Sequence, residues 1–398
     1  MASVRKRTWV SGGEKQEAWI ADYFDQAGKR HIKTFAKKKA ADAWLTDAKA
    51  EVRDGTHTAD SASKTISDAG DAWLADAEAD GLERSTIAQY RQHLQLHIKP
   101  HIGSVKLSRL TGPQVHDFRK TLRKAKVSPA MVDKVVTSLG SIVAYALDHG
   151  MVAKNVVRDA RRRRRRGQEK RQRKRVEIPT KAEIRDLIAK AEGRWRPLII
   201  AAIFTGLRAS ELRGLTWDDV NIERKVITVR QRADAWNDMG APKSEAGQRE
   251  VPLAPMVVNT LKEWKLECPR LKSDKADKDD PGKLWLVFPN GAGRTESHAN
   301  IVNRGFGPLQ MACGIAEDTG EKDEEGKPIL RPRYGLHALR HAAASLFIEQ
   351  GLNPKRVQTI MGHANIQITF DTYGHLFRDD EADQKAMEQL QARLLASA

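Results

Sequence analysis

The C-terminal third of the chain contains the sequence YGLHALRHAAASLFIEQGLNPKRVQTIMGHANIQITFDTYG at residues 334–374. After Tyr334 the spacing of apolar residues is helical. His337 and Arg340 are three residues apart, which places both side chains on one face of a helix. His363 follows, and Tyr373 comes ten residues after it. A histidine at helical spacing is more often structural than catalytic, and a tyrosine in a Thr-Tyr-Gly turn more often packs than reacts. This stretch alone therefore leaves both interpretations open.

Two earlier stretches carry further candidate residues. TGLRASEL, at residues 205–212, contains Arg208 and Glu211 one helical turn apart. APKSEAGQREVPL, at residues 241–253, contains Lys243 in a predicted turn between two strands. An arginine on a helix is usually solvated or ion-paired, so each residue alone is a weak signal. Their order along the chain is a stronger one.

Taken together, the three stretches resemble the tyrosine recombinase (phage integrase) family, whose signature is Arg, Lys, His-x-x-Arg, His or Trp, and then Tyr. The local words TGLR-x-x-EL, Lys-Ser ahead of VPL, H-x-LRH and GH before T and Y match the family as well. The resemblance covers about residues 176–378, with departures at Ala338 and Met361. It implies six catalytic residues: Arg208, Lys243, His337, Arg340, His363 and Tyr373. Glu211, one helical turn from Arg208, would orient that arginine in a supporting role.

The chemistry of these residue types suits the opening of a DNA phosphodiester without a metal or another cofactor. Two arginines can each present a planar fork to the phosphate, which suits Arg208 and Arg340. A tyrosine with a pKa near 10 is a poor nucleophile, so a base must assist it, and we expect His337 to do so and the two guanidiniums to lower its pKa. Lys243 would protonate the 5′ oxygen, and His363 would donate to a phosphate oxygen. The product would be a 3′-phosphotyrosine, which a 5′ hydroxyl can reseal without ATP.

The charge of the chain indicates a polyanionic partner. Its 69 Lys and Arg residues against 52 Asp and Glu residues give a net charge of +17. The excess is concentrated in residues 1–39, with ten basic against four acidic residues, and in residues 154–175, with thirteen against two. The second segment is either a solvated tether or a tether that lies along a phosphate backbone. We expect DNA contacts from Arg5, Lys6, Arg7, Lys37, Lys38, Lys39, Arg161, Arg162, Arg163, Arg164, Arg165 and Arg166.

The pattern of elements predicts a mainly α fold with small antiparallel β-sheets. Three β-prone runs and a helix at residues 1–58 resemble an arm-type DNA-binding domain, and residues 65–155 resemble a helical core-binding domain whose second helix is capped by Ser85. A basic linker at 156–178 precedes a mixed α/β catalytic domain at 179–398, in which LWLVFP at 284–289 is a third strand and 317–331 an exposed loop. A tail helix at 379–396 has an apolar stripe, Met387, Leu390 and Leu394, which we expect to dock on a neighbouring subunit of a DNA-bound homotetramer.

Composition indicates where in the cell the protein acts. No apolar run approaches the ~20 residues that span a bilayer, no apolar segment follows the basic N-terminus, and two cysteines are too few for a disulfide framework. We therefore expect no membrane span and a place in the bacterial cytoplasm, at the nucleoid.

The main hypothesis is an integrase of a phage or other mobile element, acting on core and arm-type double-stranded DNA sites, with DNA-bending accessory proteins as candidate partners. The alternatives are a chromosome- or plasmid-resolving recombinase, a type IB topoisomerase, and a non-catalytic DNA-binding protein on the same scaffold.

Overall fold

The computed structural model describes residues 2–12, 14–25, 28–53, 63–160, 177–242, 244–270, 285–377 and 380–396. The contacts within the chain divide it into two units, residues 1–172 and 173–398. Helices predominate and the sheets are small and antiparallel, which confirms the predicted fold class. Lys243 and the run Arg161–Arg166 lie outside the described residues.

The N-terminal residues form a three-stranded antiparallel sheet and one helix, as predicted. Strands β1 (Ser3–Ser11), β2 (Glu14–Phe24) and β3 (Arg30–Phe35) pair in sequence order, and α1 (Lys38–Arg53) follows them. Ala21 and Tyr23 of β2 form a buried cluster with Ala41 and Leu45 of α1.

A helical bundle follows, formed by α2 (Ile66–Ala79), α3 (Arg84–Gln92), α4 (Lys99–Ile102), α5 (Gly112–Lys124) and α6 (Pro129–Asp148). Thr65 and Thr111 cap α2 and α5 through complete capping boxes. The prediction that Ser85 is a cap is wrong, because α3 begins at Arg84, and Glu83 at its N-cap makes no side-chain cap hydrogen bond. A π-helical turn, His93–Ile98, joins α3 to α4, and a 3₁₀ turn, Leu107–Arg109, precedes α5.

Helix α6 is the core of this bundle. It is 20 residues long and apolar, and by length and composition alone it could cross a membrane, contrary to the expectation that no such run exists. Its buried face, which includes Val135, Leu139 and Ile142, packs in the core of the bundle. Residues 156–160 are also helical, and Val157 is fully buried in the same core, so the bundle packing extends into the predicted linker.

The second unit begins with three helices around an apolar core. Thr180 and Glu183 form a capping box at the start of α7 (Lys181–Lys190). The apolar helix α8 (Trp195–Thr205) is buried and ends at Gly206, and the short α9 (Ala209–Gly214) follows at once.

A small antiparallel sheet follows, in the order β4 (Val220–Asn221), β5 (Val226–Val229), β8 (Arg249–Pro252). Between its last two strands, β6 (Arg232–Ala233) and β7 (Met239–Gly240) form a separate hairpin, followed by a 3₁₀ turn, Glu245–Gly247. The prediction that LWLVFP is a third strand is wrong. In its described part Leu286 makes a single bridge to Thr216, and its apolar residues instead fill the core, where Val287 is fully buried.

Helices make up most of the C-terminal half of this unit, and those after Tyr334 agree with the predicted helical pattern. Helix α10 (Pro255–Glu267) is followed by α11 (His298–Asn300), a π-helical turn (Ile301–Phe306) and α12 (Gly307–Ala312). The predicted loop at 317–331 is instead an exposed hairpin of β9 (Ala316–Lys322) and β10 (Pro328–Pro332), because it turns through glycines while its strands pair. Helices α13 (His337–Glu349), α14 (Pro354–Met361), α15 (Ile366–Tyr373), a 3₁₀ turn (Gly374–Phe377) and α16 (Asp380–Leu395) complete the chain.

Candidate active site

Arg208 stands at the N-cap of α9, immediately after the turn that ends α8. Gly206 makes that turn with a φ of +63°, a left-handed conformation that favours glycine. The Arg208 guanidinium donates to Glu211 Oε1 at 2.7 Å and to the carbonyl of Gly362 at 2.7 Å. The side chain remains 36% exposed, so it can also reach a ligand from solvent.

Arg340 lies one turn into α13 and is buried, with 4% of its surface exposed. It donates to the carbonyl of Gly206 at 2.5 Å and to that of Met361. Both arginines thus bind carbonyls at the left-handed C-terminal turns of α8 and α14, which complement positive charge. Burial and the neighbouring Arg208 lower the pKa of Arg340 to about 9, so it stays charged at neutral pH.

Glu211 connects α9 to strand β8 through Arg249, an arginine that the sequence analysis did not select. Arg249 donates to both carboxylate oxygens of Glu211, at 3.1 and 2.9 Å, and to the carbonyls of Gly247 and Ile360 at 2.9 and 2.6 Å. Both side chains are 2% exposed. Burial raises the pKa of Glu211, but hydrogen bonds and charge from Arg249, with the charge of Arg208, lower it by more, so the net shift is downward.

His363 and Tyr373 face each other across the turn between α14 and α15. Gly362 ends α14 with a φ of +65°, and a Cβ there would lie 2.8 Å from Arg249 Nη1. His363 Nδ1 is 2.9 Å from the Thr369 hydroxyl, and its ring stacks against Tyr373 with centroids 6.4 Å apart. Burial, together with Arg340 and Arg208, lowers the pKa of His363 to about 4, so the ring is neutral at pH 7.

The tyrosine is buried, with 3% of its surface exposed. Burial raises the pKa of Tyr373 to about 12, although the charge of Arg340 lowers it. The expectation that the two guanidiniums produce a net decrease is therefore wrong for the protein without DNA, because removal of water from around the phenolate outweighs the attraction of Arg340.

The hydrogen-bond partner of Tyr373 is a residue that the sequence analysis did not select. His341 Nδ1 lies 2.6 Å from the Tyr373 hydroxyl oxygen. His337 lies one turn earlier on α13, and its ring meets His341 edge-on, with centroids 4.7 Å apart. Burial and the charges around it lower the pKa of His337 to about 4. The feature of the sequence that could have identified His341 is its place as the second histidine of LHALRH, four residues after His337.

The structure thus brings five of the six predicted catalytic residues together, and the sixth, Lys243, lies outside the described residues. Among the predicted DNA-contacting residues, the described ones are exposed, and they stand on β1 and at the start of α1: Arg5, Lys6, Arg7, Lys37, Lys38 and Lys39. Lys6 pairs with Glu17 at 2.7 Å, and Lys38 lies over the ring of Trp19. Within the described ranges no group of three or more His, Cys, Asp or Glu side chains is placed to hold a metal ion.

Comparison of the chain with known protein families identifies the family to which it belongs. The model of the phage integrase family matches residues 178–379, just over half of the chain. The chain belongs to the phage integrase family. A second family model, the N-terminal SAM-like domain of phage integrases, matches residues 65–123 in the helical bundle.

Relatives of this integrase-family chain include a transposase, an integrase and a tyrosine recombinase. It is 30% identical over 205 residues to the transposase of transposon Tn916 from Enterococcus faecalis, covering 50% of this chain and 47% of the transposase. The chain thus spans about half the length of that relative. An integrase of Streptomyces ambofaciens is 26% identical over 390 residues, 93% of each protein, and a XerC-like tyrosine recombinase of Caldanaerobacter subterraneus is 25% identical over 392 residues, 94% and 95%.

Two solved structures share the fold. The Tn1549 transposon integrase in complex with transposon right end DNA has a TM-score of 0.64 at 20% identity, covering 82% of this chain and 100% of that one. A lambda integrase dimer bound to a COC′ core site has a TM-score of 0.54 at 17% identity, covering 94% and 95%.

Proposed function

We propose that the protein is a site-specific DNA recombinase, the integrase of a phage or other mobile element, which cleaves and rejoins DNA through a 3′-phosphotyrosine. The observation that carries this proposal is the single cluster of Arg208, Arg340, His363 and Tyr373 around the C-terminal turns of two helices. The relatives that share this family include the transposase of a transposon and an integrase. A resolving recombinase is the second candidate, supported by the XerC-like relative that aligns over almost the whole chain.

The side chains divide the reaction between them. Arg208 and Arg340 would bind the non-bridging oxygens of the scissile phosphate, since both carry planar guanidinium forks fixed by backbone carbonyls. The neutral His363 would donate a hydrogen bond to a phosphate oxygen. Tyr373 Oη would attack phosphorus, and the 5′ oxygen would leave with a proton that we assign to Lys243. Phosphodiester energy would be kept in the new bond, so resealing needs no ATP.

Double-stranded DNA is the proposed partner, at core sites for the bundle and catalytic domain and at arm-type sites for the N-terminal sheet. Four protomers would act together on two sites, assisted by DNA-bending proteins, in the bacterial cytoplasm at the nucleoid. The tail helix α16 supports the assembly proposal because Met387, Leu390 and Leu394 are 63%, 51% and 67% exposed on their own chain. Docking of this stripe on a neighbouring protomer would connect Tyr373 to assembly.

The function is tested by trapping the covalent intermediate. A nicked suicide substrate loses its short 5′ fragment on cleavage, so the wild type should accumulate a covalent band on a denaturing gel. Tyr373→Phe should abolish that band and leave DNA affinity within a small factor, because affinity is spread over many phosphate contacts. A covalent band that persists in the Tyr373→Phe protein would disprove the assignment.

The arm-domain proposal needs a separate test. Footprints of the full chain should include a second DNA sequence, apart from the crossover site, which a chain starting at Thr65 does not protect. Identical footprints for the two proteins would show that residues 1–60 recognise no site of their own.

A further inference from the structure

One histidine contacts the proposed nucleophile directly, and it lies outside the six-residue signature. His341 Nδ1 is 2.6 Å from Tyr373 Oη, and this is the only hydrogen bond of Oη within the described part of the chain. The two rings are 5.7 Å apart with an interplanar angle of 57°. An oxygen–nitrogen distance of this length is that of a good hydrogen bond, and it joins a side chain that can bind a proton to one that must lose one.

His337, the base expected from the family resemblance, occupies a different position. Its ring is almost perpendicular to that of His341, at 89°, and no hydrogen bond joins it to Tyr373 in the described residues. Both histidines are on α13, at positions i and i+4, so they lie on one face of the helix. His341 is therefore the histidine nearer to the reacting oxygen.

We propose that His341 is a catalytic residue that accepts the proton of Tyr373 during strand cleavage. As Tyr373 Oη forms its bond to phosphorus, the Oη–H bond breaks and the proton passes to His341 Nδ1. The bond from phosphorus to the 5′ oxygen breaks, and that oxygen takes a proton from Lys243. Resealing reverses both transfers, so His341 returns the proton to Tyr373. This inference rests on the proposed recombinase function.

The surroundings of His341 suit a proton acceptor. Its own helix contributes Arg340 and His337, and the C-terminal helices contribute His363 and Tyr373. Burial and the charge of Arg340 lower the pKa of His341 below its usual 6.5, so the ring is neutral at pH 7 and can receive a proton. The same arginine would favour the phenolate that forms.

The test compares His341→Asn with His337→Asn in single-turnover cleavage of the suicide substrate. Asparagine keeps a polar atom close to the position of Nδ1 but cannot serve as a base. We expect His341→Asn to bind DNA normally and to cleave about 10²–10⁴-fold more slowly. Its rate should rise about tenfold per pH unit from pH 6 to 9, because only the phenolate, with a pKa about 12, remains reactive. The wild-type rate should level off above the pKa of His341.

A substrate with a modified leaving group and the His337→Asn pH profile distinguish the possible failures. A substrate with sulfur in place of the 5′ bridging oxygen needs no proton on its leaving group, so it should rescue Lys243→Ala and leave His341→Asn slow. Rescue of His341→Asn by this substrate would mean that His341 is an acid, and it would overturn the proposal. A tenfold rise per pH unit in His337→Asn, with a wild-type profile in His341→Asn, would assign the base to His337 and also overturn it.

If the asparagine variant misfolds, His341→Ala provides a second test of the proton-acceptor role. Added imidazole should restore its cleavage, and a lack of restoration in a folded, DNA-binding protein would contradict the proposal. Tyr373→Phe serves as the reference for function itself, because a covalent band in that variant refutes the recombinase assignment independently of His341.

Discussion

The buried ion pair of Glu211 and Arg249 is the interaction in the candidate site whose loss should lower the free energy of unfolding most. Arg249→Met preserves most of the side-chain volume but removes both bonds to Glu211 and the bonds to two backbone carbonyls. The buried Glu211 carboxylate then keeps one cationic partner among the described residues, Arg208, whose side chain is 36% exposed. Removal of one partner from a buried pair costs about 3–5 kcal/mol. For a unit of about 200 residues this lowers the melting temperature by roughly 10 °C.

The measurement is thermal unfolding of the full chain, followed by circular dichroism. Arg224→Met is the matched control, since it makes the same substitution in the Arg224–Glu250 pair, whose side chains are 63% and 49% exposed. An exposed pair is worth less than about 1 kcal/mol, so this control should melt close to the wild type. Arg249→Met combined with Glu211→Gln should recover part of the stability, because no charge remains buried without its partner. Equal melting temperatures for the Arg249 and Arg224 variants would refute the reasoning.

Three further predictions concern DNA binding, assembly and pH. Neutralising Arg161–Arg166 should lower the slope of log affinity against log salt by about 0.9 for each phosphate that is no longer neutralised, and an unchanged slope in filter binding would identify the run as a solvated tether. Ending the chain at residue 378 should leave single-site gel shifts nearly intact and remove four-subunit complexes and strand exchange; recombination at the wild-type rate would contradict docking of α16. His363, whose pKa falls from 6.5 to about 4 on folding, contributes stability that is present above pH 6.5 and declines as the pH falls toward 4. Chemical denaturation should show that His363→Gln reduces this decline, and an equal decline in that variant would exclude His363 as its source.

The sequence by itself determined the features that depend on short-range pattern. The capping boxes at Thr65, Thr111 and Thr180 follow from residues three positions apart, and all three helices begin there. The order of Arg208, His337, Arg340, His363 and Tyr373 was enough to indicate the family, because residue type and spacing carry that signature. The cap at Ser85 and the loop at 317–331 were wrong because each depends on where neighbouring backbone pairs, which spacing does not encode.

Tertiary structure alone decided how the site residues meet and how they ionise. Glu211 and Arg249 are 38 positions apart, and His341 and Tyr373 are 32 apart, so no local pattern could pair them. The direction of the Tyr373 pKa shift depends on the balance between the water removed and the positive charge nearby, and burial is a property of the whole packed unit. The apolar run LWLVFP shows the same limit, because its side chains enter the core without a strand ladder. Hydrophobicity specified that these residues are buried, and only the packing of the other elements determined the conformation in which they are buried.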